Sequence, residues 1–214
     1  MNMIASVLQL DRKAVKALRI TDLYSLHRIV YSLYEDRRDA GQKIASQSSG
    51  ILYADQGGDF HTRRILMLAD RSPATSIDGQ YGQVQSKPIP DEFLHHAHYH
   101  FKVVVNPTRR DNASRKLIPV KGRESIAAWF ARRASQSWGF CVSSEHLQVD
   151  KVEVLSFNDK QQHPVTICQA HLRGQLSVND QTQFHHSFTH GIGRAHSFGC
   201  GLLQIVPLID NPFA

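Results

Sequence analysis

An α+β fold of two similar units in tandem is what this sequence predicts, and three observations carry the prediction. Strand-like apolar runs alternate with helical periodicity, in the order β-α-β-β at the start and β-α-β-β-α-β further on. A stretch from Arg71 to Pro90, rich in Ser, Pro, Gly, Asp and Gln, separates the two series and reads as a linker or irregular edge segment. The chain has 214 residues, 41% of them hydrophobic, enough to bury a core in one large unit or two small ones without disulfide staples. The second series has the ferredoxin-like order. Residues 1–90 and 91–214 are therefore expected to form two ferredoxin-like domains, the second carrying a Gly-rich loop.

Each element has its own signal. Met3 to Leu10 places Ile4, Ser6, Leu8 and Leu10 on one face and Met3, Ala5, Val7 and Gln9 on the other, as in a strand covered on both sides. Thr21 or Asp22 suits the N-cap of a helix running to about Tyr34, in which Leu23, Leu26, Val30 and Leu33 form the buried stripe. Two apolar runs, Gly50 to Ala54 and Phe60 to Ala69, flank turn-forming residues 55–59 and predict a hairpin. In the second half, strands are expected near His98 to Val105, Leu147 to Phe157, Val165 to Leu176 and Leu202 to Pro207. Helices are expected near Arg123 to Ala134 and Gln181 to His190.

The composition excludes some classes and favours one kind of partner. Cys141, Cys168 and Cys200 are an odd number without a C-x-x-C pair, so they read as buried thiols in a reducing compartment. The first residues lack the basic and apolar regions of a signal peptide, and no run approaches the roughly 18 apolar residues of a membrane span. A cytoplasmic protein without a membrane partner is expected. Net charge is +6, and nine Lys and Arg stand against two acidic residues between Lys102 and Arg133. This concentration, in Lys102, Arg109, Arg110, Arg115, Lys116 and their neighbours, suits a loop or hairpin carrying charge to a phosphate backbone. Charge pattern alone equally describes a solvated basic loop.

On the first helix, Tyr24, His27, Arg28 and Tyr31 follow i, i+3, i+4 and i+7 and share one face. Cutting RNA through its own 2′-hydroxyl needs a base for that hydroxyl, an acid for the departing 5′-oxygen and positive charge near the phosphate. Histidine titrates near neutrality and suits either proton role, while Arg28 or another cation suits the developing charge. Spacing alone also fits a solvated helix face. The histidines His95, His96, His98 and His100, and His185, His186 and His190, lack the Cys or acidic neighbours of a known metal pattern, so neither metal nor cofactor is expected. Near the C-terminus, Gly191, Gly193, Gly199 and Gly201 surround Arg194 and His196. Their spacing and the helix-to-strand order differ from the dinucleotide fingerprint, and suit tight turns with main-chain N–H groups near a phosphate or a neighbouring element.

Three segments resemble the CasE endoribonucleases, also called Cse3, of type I-E CRISPR systems. DLYSLHRIV, Asp22 to Val30, is similar to the family's D-L-Y-x-L-H or Y-x-M-H helix. HFKVVVNPTRR, His100 to Arg110, resembles F-R-L-R-A-N-P followed by basic residues. GIGRAHSFGCGLLQIVPL, Gly191 to Leu208, resembles the closing G-x-G-x-x-K-x-x-G-x-G-L-L-x-x-x-P-L. The resemblance implies tandem ferredoxin-like, RRM-like domains of the RAMP type with a basic RNA-binding surface. It implies metal-independent cleavage of the CRISPR repeat hairpin at its 3′ side, and retention of the crRNA in a Cascade-type complex with other subunits. By position, His27 matches the general acid/base residue and Tyr24 a tyrosine implicated in some members. Arg28, Lys102, Arg109, Arg110, Arg115, Lys116 and Arg194 are the expected RNA contacts. Val104 stands where the family usually has a second arginine, and His196 where it usually has lysine or arginine. A non-catalytic repeat-binding subunit is the alternative.

Overall fold

The computed structural model describes residues 3–39, 41–42, 48–59 and 61–208. They divide into two compact units: Met1–Ile89 with His196–Gly199, and Pro90–Ala195 with Cys200–Ala214. Four residues of the Gly-rich loop thus group with the N-terminal unit.

In the first unit, β1 (Ile4–Asp11) is central, flanked by antiparallel β3 (Thr62–Ala69) and β4 (Gln83–Pro88), with β2 (Leu52–Gly58) beyond β3. The order β2-β3-β1-β4 is that of a ferredoxin-like sheet. Ser6, Leu8 and Leu10 are buried, whereas Ala5, Val7 and Gln9 opposite are only half-covered, so one face of β1 carries the core. The Arg71 to Pro90 stretch ends in a strand. β4 has no large apolar residue except Val84, and its backbone pairing with β1 holds it at the sheet edge. The hairpin also differs from expectation: β2 continues through the anticipated turn to Gly58, and Phe60 lies outside the described residues.

Two helices join β1 to β2. The short α1 (Arg12–Ala17) is capped by Asp11, whose carboxylate accepts from Ala14 N at 2.7 Å. α2 (Leu23–Ser32) begins at Asp22, which accepts from Ser25 N at 2.7 Å while Ser25 Oγ accepts from Asp22 N at 3.0 Å. Such a cap contributes about 1 kcal/mol. Leu26, Val30 and Leu33 turn into the core, each burial worth roughly 1.5–3 kcal/mol. This fixes the flank of the stripe, which carries His27.

In the second unit, β5 (His98–Val105) lies between β11 (Gln204–Pro207) and the long β10 (Pro164–Val178). The outer edge of β10 is shared by β8 (Phe140–Val142) and β9 (Gln148–Asn158), two pieces where one strand was expected. α3 (Arg123–Arg133) runs on into a π-helical turn, Ala134–Trp138, and α4 spans Gln181–His190. The helix stops at Gly139, where a Cβ would lie 2.4 Å from Phe184 N. Phe101, Phe130, Phe140 and Phe184 form the aromatic centre, with ring centroids 5.6–6.5 Å apart. A small hairpin, β6 (Thr108–Arg110) and β7 (Leu117–Pro119), leaves this sheet after β5. Among the described residues, no helix is long and apolar enough to cross a membrane. The expectation of three buried thiols fails: Cys200 is buried, Cys168 half-buried and Cys141 exposed, because β8 sits at the sheet edge.

Candidate active site and basic pocket

In the first unit, α2 gathers three rings. The His27 imidazole centroid lies 4.1 Å from that of Tyr31 and 6.2 Å from that of Tyr24, as i, i+3 and i+7 spacing dictates. Phe198, from the Gly-rich loop, approaches from outside the helix with its centroid 5.8 Å from His27. Arg28 is exposed and joins none of these ring contacts: it follows His27 by one residue and so points about 100° further round the helix.

The surroundings favour a neutral imidazole. Burial pushes the His27 pKa below its ordinary value; the Ser197 carbonyl works against that shift, and the positive charge of Arg38 adds to it. His27 Nδ1 is buried without a hydrogen-bond partner among the described residues, whereas an imidazolium would need acceptors at both nitrogens. Ser197 is itself fixed, since its carbonyl accepts from Tyr53 Oη at 2.9 Å. Tyr31 Oη is held from the far side by Ser49 Oγ at 3.0 Å. Arg38 makes a bidentate pair with Asp36, with N···O distances of 2.9 and 3.2 Å.

The second unit carries the positive charge in a cavity of about 590 Å³. Arg109 and Arg110 reach it from β6, Arg132 and Arg133 from α3, and Arg194 from the Gly-rich loop. Trp129 supports the wall, its Nε1 donating to Thr108 O at 3.1 Å. The turn of the β6–β7 hairpin is built by Asp111, whose carboxylate accepts from Ser114 Oγ at 2.7 Å and Ser114 N at 2.9 Å. Those bonds hold its pKa below the usual carboxylate range. The acid inside the basic stretch therefore shapes the turn.

The predicted cations of the second unit fall into three places. Arg109, Arg110 and Arg194 meet in the cavity. Arg115 and Lys116 are exposed in the hairpin turn, where Arg115 O accepts from Arg110 at 3.0 Å. Lys102 is exposed at the middle of β5, opposite Arg173 and Gln204. Arg132, Arg133 and Gln136 were missed as site residues although Trp129, Arg132, Arg133 and Gln136 repeat the i, i+3, i+4, i+7 spacing that singled out His27. Ser49, Tyr53, Ser197 and Phe198 carried no local signal. Among the described residues, no three His, Cys, Asp or Glu side chains are grouped so as to hold a metal ion. His98 and His100 are exposed on β5, and His98 Nδ1 lies 2.9 Å from Ser177 Oγ.

The two strand orders define an α+β protein of two ferredoxin-like units. Residues 3–207 match the sequence profile of a family described as CRISPR associated protein. The chain belongs to this family, that of CasE and Cse3. The Cascade subunit CasE of the CRISPR system of Escherichia coli (strain K12) is 22% identical over 198 residues, covering 87% of this chain and 93% of that protein. The fold matches the CRISPR endoribonuclease Cse3 bound to a 19-nucleotide RNA, with TM-score 0.75 and 21% identity over 97% of this chain and 100% of that one. Thermus thermophilus Cse3, bound to an RNA representing a pre-cleavage complex, matches with TM-score 0.76 and 18% identity at the same coverage.

Proposed function

We propose that this protein is a CRISPR RNA-processing endoribonuclease of the cytoplasm. It binds the repeat hairpin of precursor crRNA, cuts it by metal-independent attack of a substrate 2′-hydroxyl, and stays bound to the product as a subunit of a Cascade-type complex. The observation that carries this reading is the His27 imidazole, held among Tyr24, Tyr31 and Phe198, with burial lowering its pKa. A neutral imidazole accepts a proton, and the 2′-hydroxyl beside the scissile phosphate is the proton source that RNA itself supplies. Tyr24 is assigned to orienting the ring or its proton partner. Arg109, Arg110, Arg132, Arg133 and Arg194 bind backbone phosphates in the second unit, with Arg28, Lys102, Arg115 and Lys116 as outlying contacts. A-form RNA hides its base edges in a deep groove, so shape and backbone dominate recognition of the stem.

The test is single-turnover cleavage of a repeat hairpin in excess EDTA, with a companion RNA carrying one 2′-deoxy nucleotide before the cut. The first is expected to yield a 2′,3′-cyclic phosphate and a 5′-hydroxyl; the second is expected to bind normally and stay intact. His27→Ala is expected to bind within a few fold of wild type and to abolish or severely slow the cut. Cleavage of the deoxy RNA, or its arrest by EDTA, refutes the internal nucleophile. Wild-type rates in His27→Ala refute the residue assignment. Tight binding without any cut by the wild type supports the non-catalytic subunit instead.

A further inference from the structure

Arg71 is a nearly buried cation, 9% exposed, that neither ring packing at His27 nor the arginine pocket uses. Its guanidinium is engaged on every side. Nε donates to Glu35 O at 3.2 Å, one terminal nitrogen to Ser49 O at 3.1 Å, and the other to Asp70 Oδ1 at 2.7 Å. Its central carbon lies 5.6 Å from the ring centroid of Tyr34. Glu35 lies three residues beyond the end of α2 and Ser49 three before β2, so one planar group ties the exit of the helix to the entry of the strand. Asp70, at the end of β3, anchors it.

We infer that Arg71 is a positioning residue for His27, acting through the two stretches of backbone it joins. Through Ser49, whose hydroxyl donates to Tyr31 Oη at 3.0 Å, it fixes the ring packed 4.1 Å from the imidazole. Through Glu35 it fixes the start of the stretch that carries Asp36 and Arg38, the pair whose guanidinium charge acts on both His27 and Tyr31. A fork with fixed geometry is required, because two carbonyls and a carboxylate lie around one plane. Lysine keeps the charge but presents it as a single point and cannot span all three acceptors. Without the clamp, Tyr31 and Arg38 lose their fixed distance from His27. Both changes move the imidazole the same way: less burial and less nearby positive charge each raise its pKa.

This inference rests on His27 as the proton-transfer group, so its test reads His27 directly and does not depend on RNA being cut. The His27 imidazole is titrated by NMR in wild type, Arg71→Lys, Arg71→Met and Arg38→Ala, with a thermal melt of each to establish folding. The midpoint is expected to rise in Arg38→Ala, which removes the cation, and in both Arg71 variants. A rise in Arg71→Lys, whose charge is conserved, assigns the effect to geometry. If Arg71→Met does not fold, Arg71→Lys and Ser49→Ala decide the matter in the same way. Folded Arg71 variants that titrate at the wild-type midpoint overturn the inference, as does an unmoved midpoint in Arg38→Ala. In the RNA assay, Arg71→Lys is expected to lose about 10- to 100-fold in cleavage rate while affinity stays within a few fold, the signature of a misplaced catalytic group.

Discussion

Gly199→Ala tests how the Gly-rich loop is held against His27. Gly199 has φ +77°, a left-handed conformation that costs an L-residue about 1–2 kcal/mol. Its added Cβ would also stand 3.3 Å from the ring of Tyr53. That ring has little room to yield, being 1% exposed and tied by its hydroxyl to Ser197 O at 2.9 Å. Displacing it gives up a hydrogen bond worth about 1 kcal/mol. The expected loss is therefore about 2–3 kcal/mol, a fall in melting temperature of about 4–12 °C for a chain of this size. Gly193 supplies the control: it shares φ +77° but has nothing within 4 Å of its Cβ position, so Gly193→Ala carries the backbone cost alone. Calorimetric melts of the two variants isolate the Tyr53 contact as their difference, about 1 kcal/mol. A Gly199→Ala protein as stable as Gly193→Ala refutes the argument that Tyr53 braces this loop.

Three further outcomes follow from the charges. With His27 acting as base and its pKa depressed by burial, the single-turnover rate should climb as pH rises through a midpoint below the ordinary histidine value of 6.5 and be flat at neutrality; a midpoint above 6.5 contradicts the assigned environment. The same depression means that the unfolded chain takes up the His27 proton first, so this residue's share of stability is lost as pH falls from 6.5 through the lower folded-state value, which a melt series measures. Replacing Arg109, Arg110, Arg132 and Arg133 with Gln should weaken RNA binding and lower the slope of log affinity against log salt by about 3, at roughly 0.7–0.9 per lost phosphate contact; an unchanged slope places the RNA elsewhere.

Elements that bury a side-chain pattern were legible in the sequence. β5 and α4 have the bounds that periodicity gave them, and α2 starts at Asp22, one of the two expected caps, because capping and a Leu-Leu-Val-Leu stripe are local chemistry. β4 was not legible: its burial runs exposed, half-buried, then exposed throughout, so main-chain pairing with β1 and not apolar contact makes it a strand. α1, six residues long, and β8, three, are too short to show a period. The site divides the same way. His27 and its ring partners on α2 follow from helical spacing, whereas Ser197 and Phe198 reach it across 170 residues of chain that no local pattern links. The arginine pocket was half visible: counting charge found its residues, but only the helical spacing of Trp129, Arg132, Arg133 and Gln136 selects those that share a wall.

The Gly-rich loop carries one of the three segments of family resemblance with little regular structure. Gly191, Gly193, Gly199 and Gly201 all have positive φ, so side chains other than hydrogen are disfavoured at each of them. Between these turns the loop meets separate demands. Gly201 N donates to Val104 O at 2.7 Å, and Ile192 N to Gly201 O at 2.9 Å, tying both ends of the loop into the second unit. Arg194 enters the arginine pocket there. Residues His196–Gly199 group with the first unit instead, where Ser197 and Phe198 face His27. His196, which departs from the family's usual lysine or arginine, sits in the short 3-10 turn that presents those two residues. What that turn gives to His27 is a carbonyl from Ser197 and a ring from Phe198, neither of which requires a cation at position 196. A His196→Lys change is thus expected to leave the cleavage rate within a few fold of wild type, and a gain or loss beyond tenfold in single-turnover assays would place position 196 in contact with the reacting phosphate.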